Sequence, residues 1–160
     1  MQEASEWTRP VVSTRECAMD DKGRILLPSK FRSWLGADFV VYIGPVGCLC
    51  AVSQSEWAET VARLVSGDIT DSARQALARI ILASAEDELN CDPQGRLCIP
   101  KRLRDWAGLE GDVLLLGCGR LIEIWVRREY ERFLAEGEAY NRSRRRTIEE
   151  AYARLRSSEN

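Results

Sequence analysis

The stretch Asp20-Asp21-Lys22-Gly23-Arg24-Ile25-Leu26-Leu27-Pro28, followed by Phe31-Arg32-Ser33-Trp34-Leu35-Gly36, is written a second time 72 residues later. The second copy reads Asp92-Pro93-Gln94-Gly95-Arg96-Leu97-Cys98-Ile99-Pro100, then Leu103-Arg104-Asp105-Trp106-Ala107-Gly108. Seven positions are identical: the Asp, Gly, Arg, Pro, second Arg, Trp and final Gly. A self-match at one fixed offset speaks about architecture, because each copy is expected to fold as the same supersecondary unit. Two copies are too few for a solenoid. The expectation is two homologous halves packed about a pseudo-two-fold axis.

Each copy reads outward in the same order. A strand-like segment (residues 15–19 and 87–91) leads into an Asp-x-x-Gly turn, where Asp suits the first position and Gly is free to take positive φ. A short apolar strand follows and ends at proline, which cannot extend a central ladder. Residues 29–35 and 101–107 then read as one or two helical turns closed by Gly36 and Gly108. Two hairpins come next, residues 39–43 with 48–52 and residues 113–116 with 121–125, separated by glycine-rich turns. A helix closes each half. The first opens on a capping box, Ser53-Gln54-Ser55-Glu56, with Trp57, Val61, Leu64 and Val65 on one face, and the second carries Tyr130, Phe133 and Leu134.

Between the halves Thr70-Asp71 caps a linker helix with Leu77, Ile80 and Ile81. After them Ile148, Ala151, Tyr152 and Leu155 space out a last amphipathic helix. The fold class is therefore α+β, two pseudo-symmetric β halves with flanking helices. The expected organisation is an N-terminal extension (1–14), a first repeat (15–66), a linker helix (67–86), a second repeat (87–136) and an Arg-rich tail (137–160).

The chain has 160 residues, 45% hydrophobic and 30% charged, the composition of one soluble globular domain or two small halves sharing a core. Its most apolar stretch, residues 39–52, is too short to span a bilayer and is broken by Gly44, Pro45 and Gly47. The first fifteen residues are polar and do not read as a signal peptide. The expected location is the cytoplasm, with no membrane partner. Histidine is absent altogether, which excludes Ser-His-Asp and Cys-His catalysis and His-coordinated metals. No phosphate-cradling glycine motif occurs. The expectation is a non-enzyme with no cofactor, no metal and no small-molecule substrate. The six cysteines, Cys17, Cys48, Cys50, Cys91, Cys98 and Cys118, mostly lie in or beside apolar runs and read as reduced, buried thiols. Only Cys48-Leu49-Cys50 approaches a zinc-ligand pair, at the wrong spacing.

Net charge is −2, but it is unevenly placed. Residues 20–32 carry a net +2, residues 92–104 a net +3, and Arg142, Arg144, Arg145 and Arg146 a further +4, which leaves −11 on the rest. Positive charge gathers on the repeated elements and the tail, the local footprint expected of a nucleic-acid partner. Asp20, Gly23, Asp92 and Gly95 are read as turn geometry. Arg24 and Arg96 are not required by the turn, and their guanidinium forks suit guanine edges or phosphates, so they are the candidate DNA-reading residues. Lys22 and its counterpart Gln94 stand beside them at the loop tips. Lys30, Arg32, Lys101, Arg102 and Arg104 are candidate phosphate contacts or plain solvated charges, and Arg32 and Arg104 could equally hold acidic neighbours between halves. Trp34, Trp57, Trp106 and Trp125 align with apolar faces and read as core. The Arg142–Arg146 cluster is either a solvated, partly helical tail or an additional phosphate contact or oligomer strap.

Residues 15 to 136 resemble the MraZ family of bacterial transcription factors, whose two swapped-hairpin halves are each related to the AbrB-type DNA-binding fold. The resemblance is carried by the paired D-x-x-x-R motifs (Asp20 to Arg24 and Asp92 to Arg96), each with its apolar-Pro step and Arg-x-Trp segment. It is carried also by Gly47-Cys48-Leu49 with Ser55-Glu56-Trp57, and by Leu121-Ile122-Glu123-Ile124-Trp125. It implies a nucleoid-associated repressor that forms a ring-shaped homo-oligomer, an octameric ring being one form. It also implies D-x-x-x-R loops that bind short direct repeats in double-stranded promoter DNA upstream of the division and cell-wall gene cluster. The rivals are an AbrB-type antitoxin, which binds a toxin as well as DNA, and a purely structural ring. The N-terminal extension, with Trp7, Val11 and Val12, and the long Arg-rich tail both depart from the family pattern.

Overall fold

A computed structural model of the chain describes residues 9–44, 47–66, 70–140 and 142. The first half comprises β1 (Thr14–Ala18), β2 (Arg24–Leu26), α1 (Ser29–Leu35), β3 (Phe39–Ile43), β4 (Leu49–Ser53) and α2 (Gln54–Val65). Helix α3 (Ser72–Ser84) links it to β5 (Glu86–Leu89), β6 (Arg96–Cys98), α4 (Lys101–Ala107), β7 (Asp112–Gly117), β8 (Ile122–Val126) and α5 (Arg127–Glu136). The second half repeats the first element by element, as the duplicated sequence requires.

The halves are interleaved. One six-stranded sheet runs β1-β7-β8-β4-β3-β5, and a separate antiparallel ribbon pairs β2 with β6. Strand β1 pairs with β7 of the second half, and β5 pairs with β3 of the first, so each half gives its leading strand to the other's hairpin. The central pair of the sheet, β4 with β8, also joins the halves. Two register pairs unite equivalent residues, Ile25 with Leu97 in the ribbon and Cys50 with Glu123 in the sheet. They mark the pseudo-two-fold axis.

Strand alternation sends the two faces of the sheet into different cores. Phe39, Val41, Ile43, Val113, Leu115 and Ile124 pack against the ribbon and against Phe31, Leu35 and Leu103 from α1 and α4. Val40, Tyr42, Val52, Leu114 and Trp125 pack on the other side, beneath Trp57 of α2, Ile81 of α3 and Phe133 of α5. Ser53 caps α2 by accepting from the Glu56 N–H at 3.3 Å, and Asp71 caps α3 by accepting from Arg74 N–H at 3.2 Å. Buried Ser84 closes α3: it donates to Ile81 O at 2.9 Å and accepts the Ile43 N–H at 3.0 Å.

Two expectations change, and residues 9–14 of the N-terminal extension are tied to both halves. Val11 is buried and exchanges backbone hydrogen bonds with Gly119, and Trp34 Nε1 donates to Arg9 O at 2.9 Å. Gly119 sits at the β7–β8 turn, and the bridge to Val11 pairs both its N–H and its carbonyl. The cysteines are all free, but they are not all buried. Cys48 and Cys50 are, Cys17 and Cys91 are half-buried, and Cys98 and Cys118 are exposed. Period-2 alternation turns Cys98 outward, and Cys118 lies in a turn. Trp34, Trp57 and Trp106 are only half-buried, packed at the margins of the two cores. Arg144, Arg145, Arg146, the tail helix and Trp7 lie outside the described residues. Among the described residues, no helix is long and apolar enough to cross a membrane.

Candidate nucleic-acid interface

Strands β2 and β6 are only three residues each, and their register is Arg24 with Cys98, Ile25 with Leu97, and Leu26 with Arg96. Residues directly opposite in an antiparallel pair share a face. Ile25 and Leu97 point into the core, each 1% exposed. Arg24, Leu26, Arg96 and Cys98 therefore all lie on the other, outward face. The pseudo-two-fold axis brings both guanidinium groups to one side of one ribbon.

The loops that start each strand are interlocked. Gly23 and Gly95 adopt φ of 77° and 83°, a region that glycine enters without strain. The carbonyl of Gly95 accepts from Leu27 N–H at 3.0 Å, and that of Gly23 accepts from Ile99 N–H at 3.1 Å. Each loop is thus anchored by the other copy's strand. Within a loop, Asp20 Oδ1 accepts from the N–H groups of Lys22 at 3.0 Å and Arg24 at 2.9 Å, an Asx turn. Its Oδ2 accepts from Arg24 Nε at 2.7 Å. Asp92 repeats the pattern with Gln94 N–H at 3.0 Å, Arg96 N–H at 2.9 Å and Arg96 Nε at 2.8 Å.

Turn and arginine are therefore one unit, which corrects the expectation that nothing in the turn calls for arginine there. One carboxylate shapes the loop with one oxygen and aims the guanidinium with the other. The Arg24 backbone N–H, more than any other contact, holds the Asp20 carboxyl below its ordinary range, and Arg96 N–H does the same for Asp92. In return Asp20 holds the Arg24 guanidinium more firmly protonated, with Asp92 of the other loop adding to the field. Binding through Nε leaves the two terminal amino groups of Arg24 without a partner among the described residues. In the second loop Arg96 Nη2 reaches Gln94 Oε1 at 3.4 Å. Each arginine is held by an acidic neighbour, yet its hydrogen-bonding end is not used up, and a third of its side chain stays exposed (28% for Arg24 and 36% for Arg96).

The remaining candidates divide. Arg32 and Arg104 turn inward and cross between halves. A Cβ on Gly23 would lie 2.4 Å from Arg104 Cζ, and one on Gly95 would lie 2.6 Å from Arg32 Nη1. Each guanidinium thus backs the other half's loop, where the sequence reading had expected a phosphate or an acidic partner. Arg104 Nε donates to Ile99 O at 2.9 Å, while Arg32 Nε is buried with no partner among the described residues. Arg102 also turns away from the loops. It caps the end of α3 through the carbonyls of Ala83 and Ser84, at 3.3 and 3.1 Å, and pairs with Glu86 at 2.7 Å. Lys101 pairs with Asp105 on the exposed face of α4, and Lys30 reaches Ser13 Oγ at 3.3 Å. Lys22 and Gln94 stand exposed at the loop tips.

Leu26 and Cys98 share this outward face, though no motif in the sequence singles them out. Leu26 is 57% exposed between the two arginines. The continuous apolar run Ile25-Leu26-Leu27 hid it, although alternation about buried Ile25 would have turned it out.

The chain matches the family model described as "MraZ protein, putative antitoxin-like" twice, over residues 11–80 and 82–150. It is similar to a protein of Acetivibrio thermocellus named Transcriptional regulator MraZ, 40% identical over 72% of this chain and 80% of the relative. Proteins of the same name from Salinispora arenicola (39% identical, 79% of this chain, 89% of the relative) and Lachnoclostridium phytofermentans (43%, 71% and 79%) match likewise.

Proposed function

The chain belongs to the MraZ family of transcriptional regulators, which are not enzymes, and from that premise we propose that it is a repressor that reads promoter DNA with the β2–β6 ribbon. The observation that carries this reading is the pair of Asp-buttressed arginines, Arg24 and Arg96, on one face of a two-stranded ribbon. The major groove of B-DNA admits such a ribbon, and a guanidinium with free terminal amino groups pairs bidentately with guanine O6 and N7. Leu26 between them offers an apolar contact to a thymine methyl. Lys22 and Gln94 at the loop tips, with Lys30 on α1 and Lys101 on α4, position phosphates in this reading, which fixes register without specifying sequence. Arg32, Arg102 and Arg104 serve the interface by holding its loops and helices in place.

A ring of subunits, each offering one such ribbon to successive short direct repeats, raises avidity without new chemistry, which suits a chain whose net charge is negative. The target in this reading is the DNA upstream of the division and cell-wall gene cluster, and the protein is nucleoid-associated.

The test is binding of the full chain to duplex DNA from upstream of its own gene, followed by fluorescence anisotropy over a range of salt. Recognition gives a steep linear fall of log K with log salt and a footprint over repeated short sites. An affinity indifferent to salt, or one unchanged when Arg24 and Arg96 are both replaced by alanine, overturns the reading. Native mass spectrometry checks the ring, and a stable monomer would remove the avidity argument.

A further inference from the structure

Glu123 lies at the centre of the main sheet, in register with Cys50 across the β4–β8 pair. Its carboxylate faces sulfur on two sides. Cys48 Sγ is 3.6 Å from Oε2, and Cys118 Sγ is 3.6 Å from Oε1. The donor atoms of Cys48, Cys50 and Glu123 all lie within 4.8 Å of one another. No lysine or arginine pairs with Glu123 among the described residues. Among the described residues this half-buried carboxylate is met by neutral donors, two thiols and the Trp125 indole, where a withdrawn charge is ordinarily met by a cation.

The cluster is shaped from outside as well. Gly44 closes over it: a Cβ there would lie 2.9 Å from Cys50 Sγ and 3.1 Å from Cys48 Sγ, so the backbone approaches the sulfurs as only glycine permits. Trp125 Nε1 donates to Glu123 Oε1 at 3.2 Å and orients the carboxylate, as outer hydrogen bonds do for metal ligands. Ligands at the zinc–sulfur and zinc–oxygen bond lengths, set at a tetrahedral angle, stand about 3.5 Å apart. The observed sulfur–oxygen separation of 3.6 Å between Cys48 and Glu123 already has that value. Two thiolates with one carboxylate favour a borderline-soft divalent ion over magnesium or calcium.

We propose that Cys48, Cys50 and Glu123 bind a zinc ion, with the fourth position facing the exposed turn that carries Cys118. The two thiol protons leave to solvent as the ion enters. Such an ion staples β4 of one half to β8 of the other on the pseudo-two-fold axis, on the helix-covered face of the sheet, away from the arginine ribbon. Cys-x-Cys alone is the wrong spacing for a linear zinc motif. The third donor comes from the other half, 73 residues away, where no linear motif records it.

The test uses the full chain, reduced and without a histidine tag, titrated with zinc against a chromophoric chelator and separately loaded with cobalt(II). Expected are one ion per chain, a thiolate-to-cobalt charge-transfer band with intense tetrahedral visible bands, and a thermal midpoint that rises with zinc concentration. Cys48→Ser and Cys50→Ser each abolish the charge-transfer spectrum, and joint replacement of Cys17, Cys91 and Cys98 by serine leaves it intact. Glu123→Gln is isosteric and still accepts from the Trp125 indole, so it stays folded, and it weakens zinc binding at least tenfold. Failure of the parent chain to bind, binding unchanged in Glu123→Gln, or binding lost only in the triple variant overturns the proposal. None of these readouts involves DNA, so the zinc site stands or falls apart from the ribbon.

Discussion

Ile25 and Leu97 occupy the same position in the two copies and are also register partners, so the repeat meets itself at the centre of the β2–β6 ribbon. Every symmetric feature of the interface follows from that pair. It sets Arg24 opposite Cys98 and Arg96 opposite Leu26, and it places each loop against the other half's glycine carbonyl.

Replacing Arg24 or Arg96 by alanine removes a base-reading fork while leaving the ribbon's buried face intact. Each substitution should weaken promoter binding roughly ten- to a hundredfold and relax base preference at one position of the site. Removing Lys22 should instead weaken all sequences alike and flatten the salt slope. Competition anisotropy with singly mutated sites distinguishes the two.

Loop order should depend on acid pH with a definite sign. The Asp20 and Asp92 carboxyls are held below the ordinary range in the folded loops. Their contribution is fully present above the unfolded carboxyl value of about 4, and is lost as pH falls through the lower folded values. NMR titration of the two carboxyls should give midpoints below the ordinary one. Asp20→Asn and Asp92→Asn should remove that contribution and loosen DNA binding at neutral pH, because the arginine Nε loses its charged partner.

Gly23→Ala should destabilise the fold by about 1–2 kcal/mol through its positive φ alone. The added methyl also meets the Arg104 guanidinium, the flexible end of a long side chain. Combining Gly23→Ala with Arg104→Ala should therefore recover the contact part of the loss and leave the backbone part. Urea denaturation of the two single variants and the double variant measures the non-additivity.

Ser84→Ala should cost about 1–3 kcal/mol, since it orphans the buried Ile43 N–H that the hydroxyl accepts. Phe31→Ala and Leu103→Ala, equivalent in the two halves and both fully buried, should cost about 3–5 and 2–5 kcal/mol respectively. Denaturant midpoints check all three. Promoter affinity per folded molecule should be unchanged for Ser84→Ala, whose side chain lies on the far side of the sheet.

Much of the architecture was legible because it is local or duplicated. Asp and Gly at their turn positions, proline closing each short strand, and the Ser53 and Asp71 caps all act within a few residues, and each stands where the sequence places it. The two arginines were legible as a pair because they recur. What escaped was direction. Arg24 on a strand and Arg32, Arg102 and Arg104 on short helices are the same residue type, yet Arg24 presents its terminal amino groups outward while the others brace a loop or cap a helix.

By itself the sequence determined two similar halves, their turns, their strand alternation and the clustering of charge, because these depend on residue type and short-range spacing. Only the tertiary structure decided that β2 pairs with β6, that β1 and β5 exchange halves, and that Glu123 closes a cluster with Cys48 and Cys50. Contacts of that kind join residues between 45 positions apart (Val41 with Glu86) and 102 apart (Thr14 with Leu116), and their energy comes from shared burial across a pseudo-two-fold axis. No local preference carries that information.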